Sequence, residues 1–159
     1  SHVGPEQYGK SFFHKDTAAI MAATGMPYVA TAAESNPADF VKKAAKAQVY
    51  AKSEGMAYIR ALSACPLNWS DKPDEERTII GKAVDCCYFP LYEVEKGQTT
   101  LSYNPEKSNK KIPAADWLAM MGRTRHLIKP QYRGVAENIQ KEIDRRWERL
   151  KALSEHPLL

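Results

Sequence analysis

Hydrophobic and polar positions change period several times along the chain, and each change predicts an element. Asp16 ahead of Ile20, Met21 and Thr24, with Gly25 behind them, is the pattern of a capped helix closed by a left-handed glycine. The run Tyr28-Val29-Ala30-Thr31 then predicts a strand. Asn36-Pro37-Ala38-Asp39 combines an N-cap residue, a proline at the first helical position and an acid in the first turn. Behind it Phe40, Ala44, Ala47 and Ala51 keep helical spacing as far as Gly55, and residues 57–62 predict a second strand. Helix, strand, helix, strand is the alternation of an α/β sheet with parallel strands. Two strands make too small a sheet, so the remaining strands are expected from elsewhere.

Beyond residue 62 the alternation breaks. Ser63-Ala64-Cys65-Pro66-Leu67-Asn68-Trp69 leads to an acidic helix start over 71–76 and a helix carrying Ile79, Ile80, Ala83 and Val84. Residues 91–94, a Lys96-Gly97 turn and residues 99–103 predict a β-hairpin. Residues 104–111 are polar and basic, as in an exposed loop. Pro113 opens a short helix with Trp117, Leu118 and Met121, interrupted at Gly122. A last helix over 131–154 aligns Val135, Ile139, Ile143, Trp147 and Leu150, with Glu137–Lys141 and Glu142–Arg146 spaced to pair. Residues 1–15 show no period and read as a loop.

Composition narrows the classes. At 159 residues, 43% hydrophobic and 26% charged, the chain has the size and balance of one globular domain. It lacks both a run of about 18 apolar residues and a signal-peptide pattern, so a cytoplasmic protein without a membrane partner is expected. Cys65, Cys86 and Cys87 are an odd set with two neighbours, which argues against a disulfide framework. A net charge of +4 spread over the chain gives little support to a nucleic-acid partner.

Cys65 stands at the carboxyl end of the second strand, the edge where open α/β sheets place ligands. By pattern alone a small packed hydrophobe is the commoner role for such a cysteine. Cys86 and Cys87 adjoin at a helix-to-strand junction, so their side chains diverge and packing is expected. His2, His14, His126 and His156 share no ligand spacing and are assigned surface or capping roles. The basic stretch Arg123-Thr124-Arg125-His126 with Lys129 and Arg133 suits a solvated face or an acidic partner. No phosphate-binding glycine loop is present, so catalytic and cofactor-binding residues stay unassigned.

Several patches in order nevertheless carry a resemblance. Residues 27–32, the helix start at 36–40, the loop Ser63 to Trp69, residues 89–94, Gly122-Arg123-Thr124-Arg125-His126-Leu127, and Asp144-Arg145-Arg146-Trp147-Glu148 all take part. Together they resemble the C-terminal half of the thiamine-diphosphate-binding beta subunit of pyruvate and related 2-oxoacid:ferredoxin oxidoreductases, from about Lys15 onward. The resemblance implies an α/β fold, with residues 1–66 the C-terminal part of a parallel-sheet, thiamine-diphosphate-binding domain. Residues 67–159 would be an extension of helix, hairpin and long amphipathic helix.

It also implies oxidative decarboxylation of a 2-oxoacid with coenzyme A, electrons passing through iron-sulfur clusters to ferredoxin. Thiamine diphosphate, magnesium and a 4Fe-4S cluster would be the cofactors, held mostly by segments outside this chain. The expected partners are the N-terminal half of the beta subunit and the alpha, gamma and delta subunits. In that family one cluster cysteine comes from the C-terminal half, and it matches Cys65; Cys87 is the rival assignment.

Two positions depart from the family pattern. Ala64 replaces the usual proline before the cysteine, and Asn68 stands in a segment that usually carries glycine; asparagine tolerates positive φ, which would preserve the loop. The family's GDG diphosphate motif and three further cysteines are absent from this sequence, so a split subunit or a fragment is expected. A noncatalytic docking module and a small nucleic-acid-binding protein are the alternative readings.

Overall fold

The computed structural model describes residues 13–156. The expected loop over residues 1–15 and His2 therefore lie mostly outside the described residues. Helix α1 (Thr17–Ala23) is capped by Asp16, whose side chain accepts from the Ala19 N–H at 3.2 Å. Gly25, at φ +80°, turns the chain into β1 (Tyr28–Ala33).

Helix α2 (Pro37–Ser53) carries the chain to β2 (Ala57–Leu62), which pairs with β1 in parallel, Tyr28 opposite Ala57. A single turn, α3 (Pro66–Trp69), follows, then α4 (Glu76–Asp85). Strands β3 (Tyr92–Glu95) and β4 (Gln98–Leu101) form the expected hairpin. Its turn residues Lys96 and Gly97 both have positive φ, 50° and 86°, the geometry that matches the twist of a two-residue hairpin. The short α5 (Ala114–Leu118) and the long α6 (Arg133–Glu155) complete the order.

The hairpin does not stand apart from the parallel pair. β3 runs antiparallel beside β1, so the sheet is mixed, with order β2-β1-β3-β4. This corrects the expectation of a parallel sheet completed from elsewhere: two of its four strands come from the hairpin. The reason lies in β3 itself, where Tyr92 and Val94 alternate with Glu93 and Glu95. Tyr92 and Val94 enter the core with Val29, Ile143 and Trp147, and the glutamates face the side covered by α2. β1, flanked by strands on both sides, is buried at every position, whereas β2 lies at the sheet edge and is largely half-buried.

Two cap and pairing expectations are also corrected. Asn36 stands at the N-cap of α2 as expected, but its side chain makes no capping bond; its oxygen accepts from the Ser35 hydroxyl at 2.7 Å instead. Glu137 pairs with Arg133 rather than Lys141, while Glu142 meets Arg146 at 2.8 Å as expected.

The inward side of α2 is broader than the expected apolar stripe. Phe40, Ala44 and Ala47 are half-buried and Ala51 is exposed; the side lying on the sheet also includes Lys43, Lys46 and Tyr50. Lys46 reaches Glu95 at 2.6 Å, Tyr50 reaches the same carboxylate at 3.0 Å, and Tyr28 donates to Glu93. A helix face that must answer two carboxylates on β3 carries cations, and their aliphatic stems supply the apolar cover.

On the opposite face α1 and α6 enclose Val29, Tyr92, Val94, Ile143, Trp147 and Leu150. The expected α6 stripe is thus the buried one over its C-terminal half. A second cluster joins Ile79, Ala83 and Cys86 of the α4 region to Trp117, Leu118 and Met121. The polar segment at 104–111 is tied to α6, because Glu106 pairs with both Lys111 and Lys151 at 2.8 Å.

Candidate functional site around Cys65

β2 ends at Leu62, and three residues later Cys65 begins a new turn in extended backbone, φ −138° and ψ 102°. Pro66 at the first helical position starts α3, the Trp69 N–H donates to the Cys65 carbonyl at 2.8 Å, and the Ser70 N–H to that of Pro66 at 2.8 Å. Cys65 is exposed, in contrast to the packed role its pattern suggested, and Leu67 beside it is 95% exposed.

The positive φ expected at Asn68 falls instead at Ser70, φ 55°, because Asn68 lies inside the helical turn and the reversal comes at its end. That reversal brings Ser70 against Gly122. The Gly122 N–H donates to the Ser70 carbonyl at 3.0 Å, and the Arg123 N–H to that of Trp69 at 3.2 Å. A Cβ on Gly122 would lie 2.5 Å from the Ser70 oxygen, so only glycine permits the approach. Arg123 also donates from Nη1 to Asn68 Oδ1 at 3.0 Å. None of this was legible locally, since the two loops are 55 residues apart.

The other two thiols sit in different surroundings. Cys86 packs beside Trp117 and Met121, and Cys87 beside Val29 and Trp147, so the expected divergence and burial both hold. Cys87 takes φ 62°, the left-handed residue that follows α4, with its N–H donating to the Val84 carbonyl at 3.0 Å. Burial pushes both thiols up to about 12. A thiolate, the form that binds a metal or attacks an electrophile, is disfavoured at each. Among the described residues no three His, Cys, Asp or Glu side chains converge as a metal site.

Histidines expected at the surface are only partly there. His126 is buried and meets Tyr132 edge-on at 5.3 Å, because the basic stretch folds into two short turns against the core. His14 is held down at about 4 by burial and by the nearby Arg60 and Arg146 guanidiniums. It borders a cavity of about 50 Å³ with Arg60, Thr31, Tyr92 and Arg146, room for a water or so but not for a cofactor. His156 is exposed. No helix of the described residues is long and apolar enough to cross a membrane.

The chain is homologous to beta-type subunits of 2-oxoacid oxidoreductases. It is 39% identical over 144 residues to the pyruvate synthase subunit PorB of Methanocaldococcus jannaschii, covering 91% of this chain and 45% of that one. Against the ketoisovalerate oxidoreductase subunit VorB of Pyrococcus furiosus it is 36% identical over 137 residues, 86% of this chain and 41% of the relative. PorB of Thermotoga maritima is 34% identical over 154 residues, 96% of this chain and 46% of the relative. The chain thus spans less than half the length of these relatives. No family model matches it.

Proposed function

We propose that this chain forms the C-terminal part of the thiamine-diphosphate-binding subunit of a 2-oxoacid:ferredoxin oxidoreductase, and that Cys65 supplies one thiolate to the iron-sulfur cluster near that cofactor. The observation that carries the ligand assignment is the contrast among the three thiols. Cys65 is exposed at the carboxyl end of a sheet strand, whereas Cys86 and the rival Cys87 are enclosed in cores that hold them protonated. Homology to PorB and VorB over most of the chain supports the wider assignment.

One exposed thiol fits a centre whose other anchors lie on another segment. The remaining cysteines, the magnesium and the diphosphate grip would come from polypeptide outside this chain, in a cytoplasmic complex acting on pyruvate or a related 2-oxoacid. When bound, such a cluster accepts electrons singly, with the protein tuning its potential. This chain's contribution is to present the Cys65 sulfur and to hold the sheet edge beneath it.

Cys65→Ser in the assembled oxidoreductase tests the reading. Iron content and the electron paramagnetic resonance spectrum should show the proximal cluster lost or altered, while Cys87→Ser leaves its spectrum in place. An unchanged spectrum in Cys65→Ser would leave only a docking role for this segment.

A further inference from the structure

We propose that Arg123 is a positioning residue for the Cys65 thiolate, acting through Asn68; the inference rests on the reading of Cys65 as a cluster ligand. A single helical turn such as α3 has too few internal hydrogen bonds to fix itself. Its outer side offers no anchor either, since Leu67 is 95% exposed. The turn is held from behind, where Trp69 packs against the clusters around Ile79 and Ile80 and the backbone is bonded as well. Gly122 and Arg123 donate through their backbone N–H groups to the Ser70 and Trp69 carbonyls, and the Trp69 N–H in turn donates to the carbonyl of Cys65.

Those backbone bonds would survive with other residues at position 123. Among what the arginine side chain adds is the 3.0 Å bond from Nη1 to Asn68 Oδ1, three residues from the sulfur-bearing position. The brace has a firm root. The Arg125 N–H donates to the Met121 carbonyl at 2.8 Å and the Thr124 hydroxyl to that of Leu118 at 2.8 Å, and both Met121 and Leu118 are buried beside Trp117. Rigidity therefore passes from the α5 core through residues 122–123 to residues 68–70 and on to Cys65. A ligand held this way keeps its sulfur in place when the cluster changes charge, and the guanidinium adds a cation to a loop that presents an anionic ligand.

The test uses the intact complex under anaerobic conditions and reads two signals: the rate at which a chelator strips the proximal cluster, and the cluster's paramagnetic line shape. Arg123→Met and Asn68→Ala remove the same bond, so each should speed cluster loss about fivefold, the factor one such hydrogen bond is worth. The double variant should be no faster than either single one. Thermal unfolding of the complex and thiamine diphosphate binding should stay as in the native protein; should Arg123→Met weaken folding, Asn68→Ala, on an exposed turn, carries the test alone.

Native stripping rates and line shape in Asn68→Ala, with the cluster lost in Cys65→Ser, would overturn the brace and spare the ligand reading. An unaltered cluster in Cys65→Ser would overturn both.

Discussion

Lys43, 1% exposed, donates from Nζ to the backbone carbonyl of Thr31 at 2.8 Å and to Asp39 Oδ2 at 2.6 Å, so an ammonium group seals the junction between α2 and β1. Burial lowers its proton affinity, and the bond it donates to Asp39 works against that. One turn along the same helix a second network joins Lys46 and Tyr50 to Glu93, Glu95 and Tyr28 on the sheet.

Removing the ammonium and its stem should be costly. Lys43→Ala leaves the Thr31 carbonyl and Asp39 without their partner and opens a void, with an expected loss of about 3 kcal/mol. Lys43→Met keeps the volume, and Asp39, about a quarter exposed, stays hydrated, so roughly half that loss is expected. Urea unfolding of the purified chain measures both; a Lys43→Ala protein as stable as native would show that the buried ammonium contributes nothing.

The three thiols should react in two classes. In the native chain one equivalent, Cys65, should label quickly with a thiol reagent at neutral pH, while Cys86 and Cys87, buried and pushed up to about 12, label only on unfolding. Cys65→Ser should abolish the fast phase. Mass spectrometry of the labelled peptides decides it, and rapid labelling of Cys87 in the folded state would reopen the choice of ligand.

Trp147 is fully buried among Val29, Tyr92, Ile143 and Leu150. Trp147→Ala should therefore destabilise the fold by about 3–5 kcal/mol, mostly as a cavity between α6 and the sheet. Trp147→Phe should recover much of that. Near-native denaturation midpoints in the alanine variant would mean that α6 docks far more loosely than its packing indicates.

Acid should weaken the fold in two stages. His14 is held near 4, chiefly by burial and then by Arg60 and Arg146, against 6.5 in an open chain, so the unfolded state binds the extra proton between those values. Stability is then lost as pH falls from about 6.5 towards 4. Glu106, hydrogen-bonded by Lys111 and Lys151, and Glu142, by Arg145 and Arg146, are both held down at about 2. Their contribution is present above pH 4.5 and disappears as pH falls towards 2. Denaturation midpoints across this range should show both stages, and His14→Gln should flatten the upper one alone.

Features set by local physics can be read along the chain. Asp16 and Gly25 bound α1, Pro37 opens α2, Lys96-Gly97 turns the hairpin, and the apolar spacing of α6 brings Ile143, Trp147 and Leu150 inward. The sequence also singled out Cys65 and a family whose sequence likeness is now found along most of the chain.

Features that depend on partners far apart in the chain emerge only on packing. β3 joined β1 because one of its faces is apolar and the other acidic, and α2 turned Lys46 towards those acids and Lys43 towards the Thr31 carbonyl of β1. Whether each cysteine is open or enclosed, and how Gly122 and Arg123 seat the turn after Cys65, likewise followed from packing. Periodicity reports which side of an element is apolar; only the assembled layers fix what that side meets.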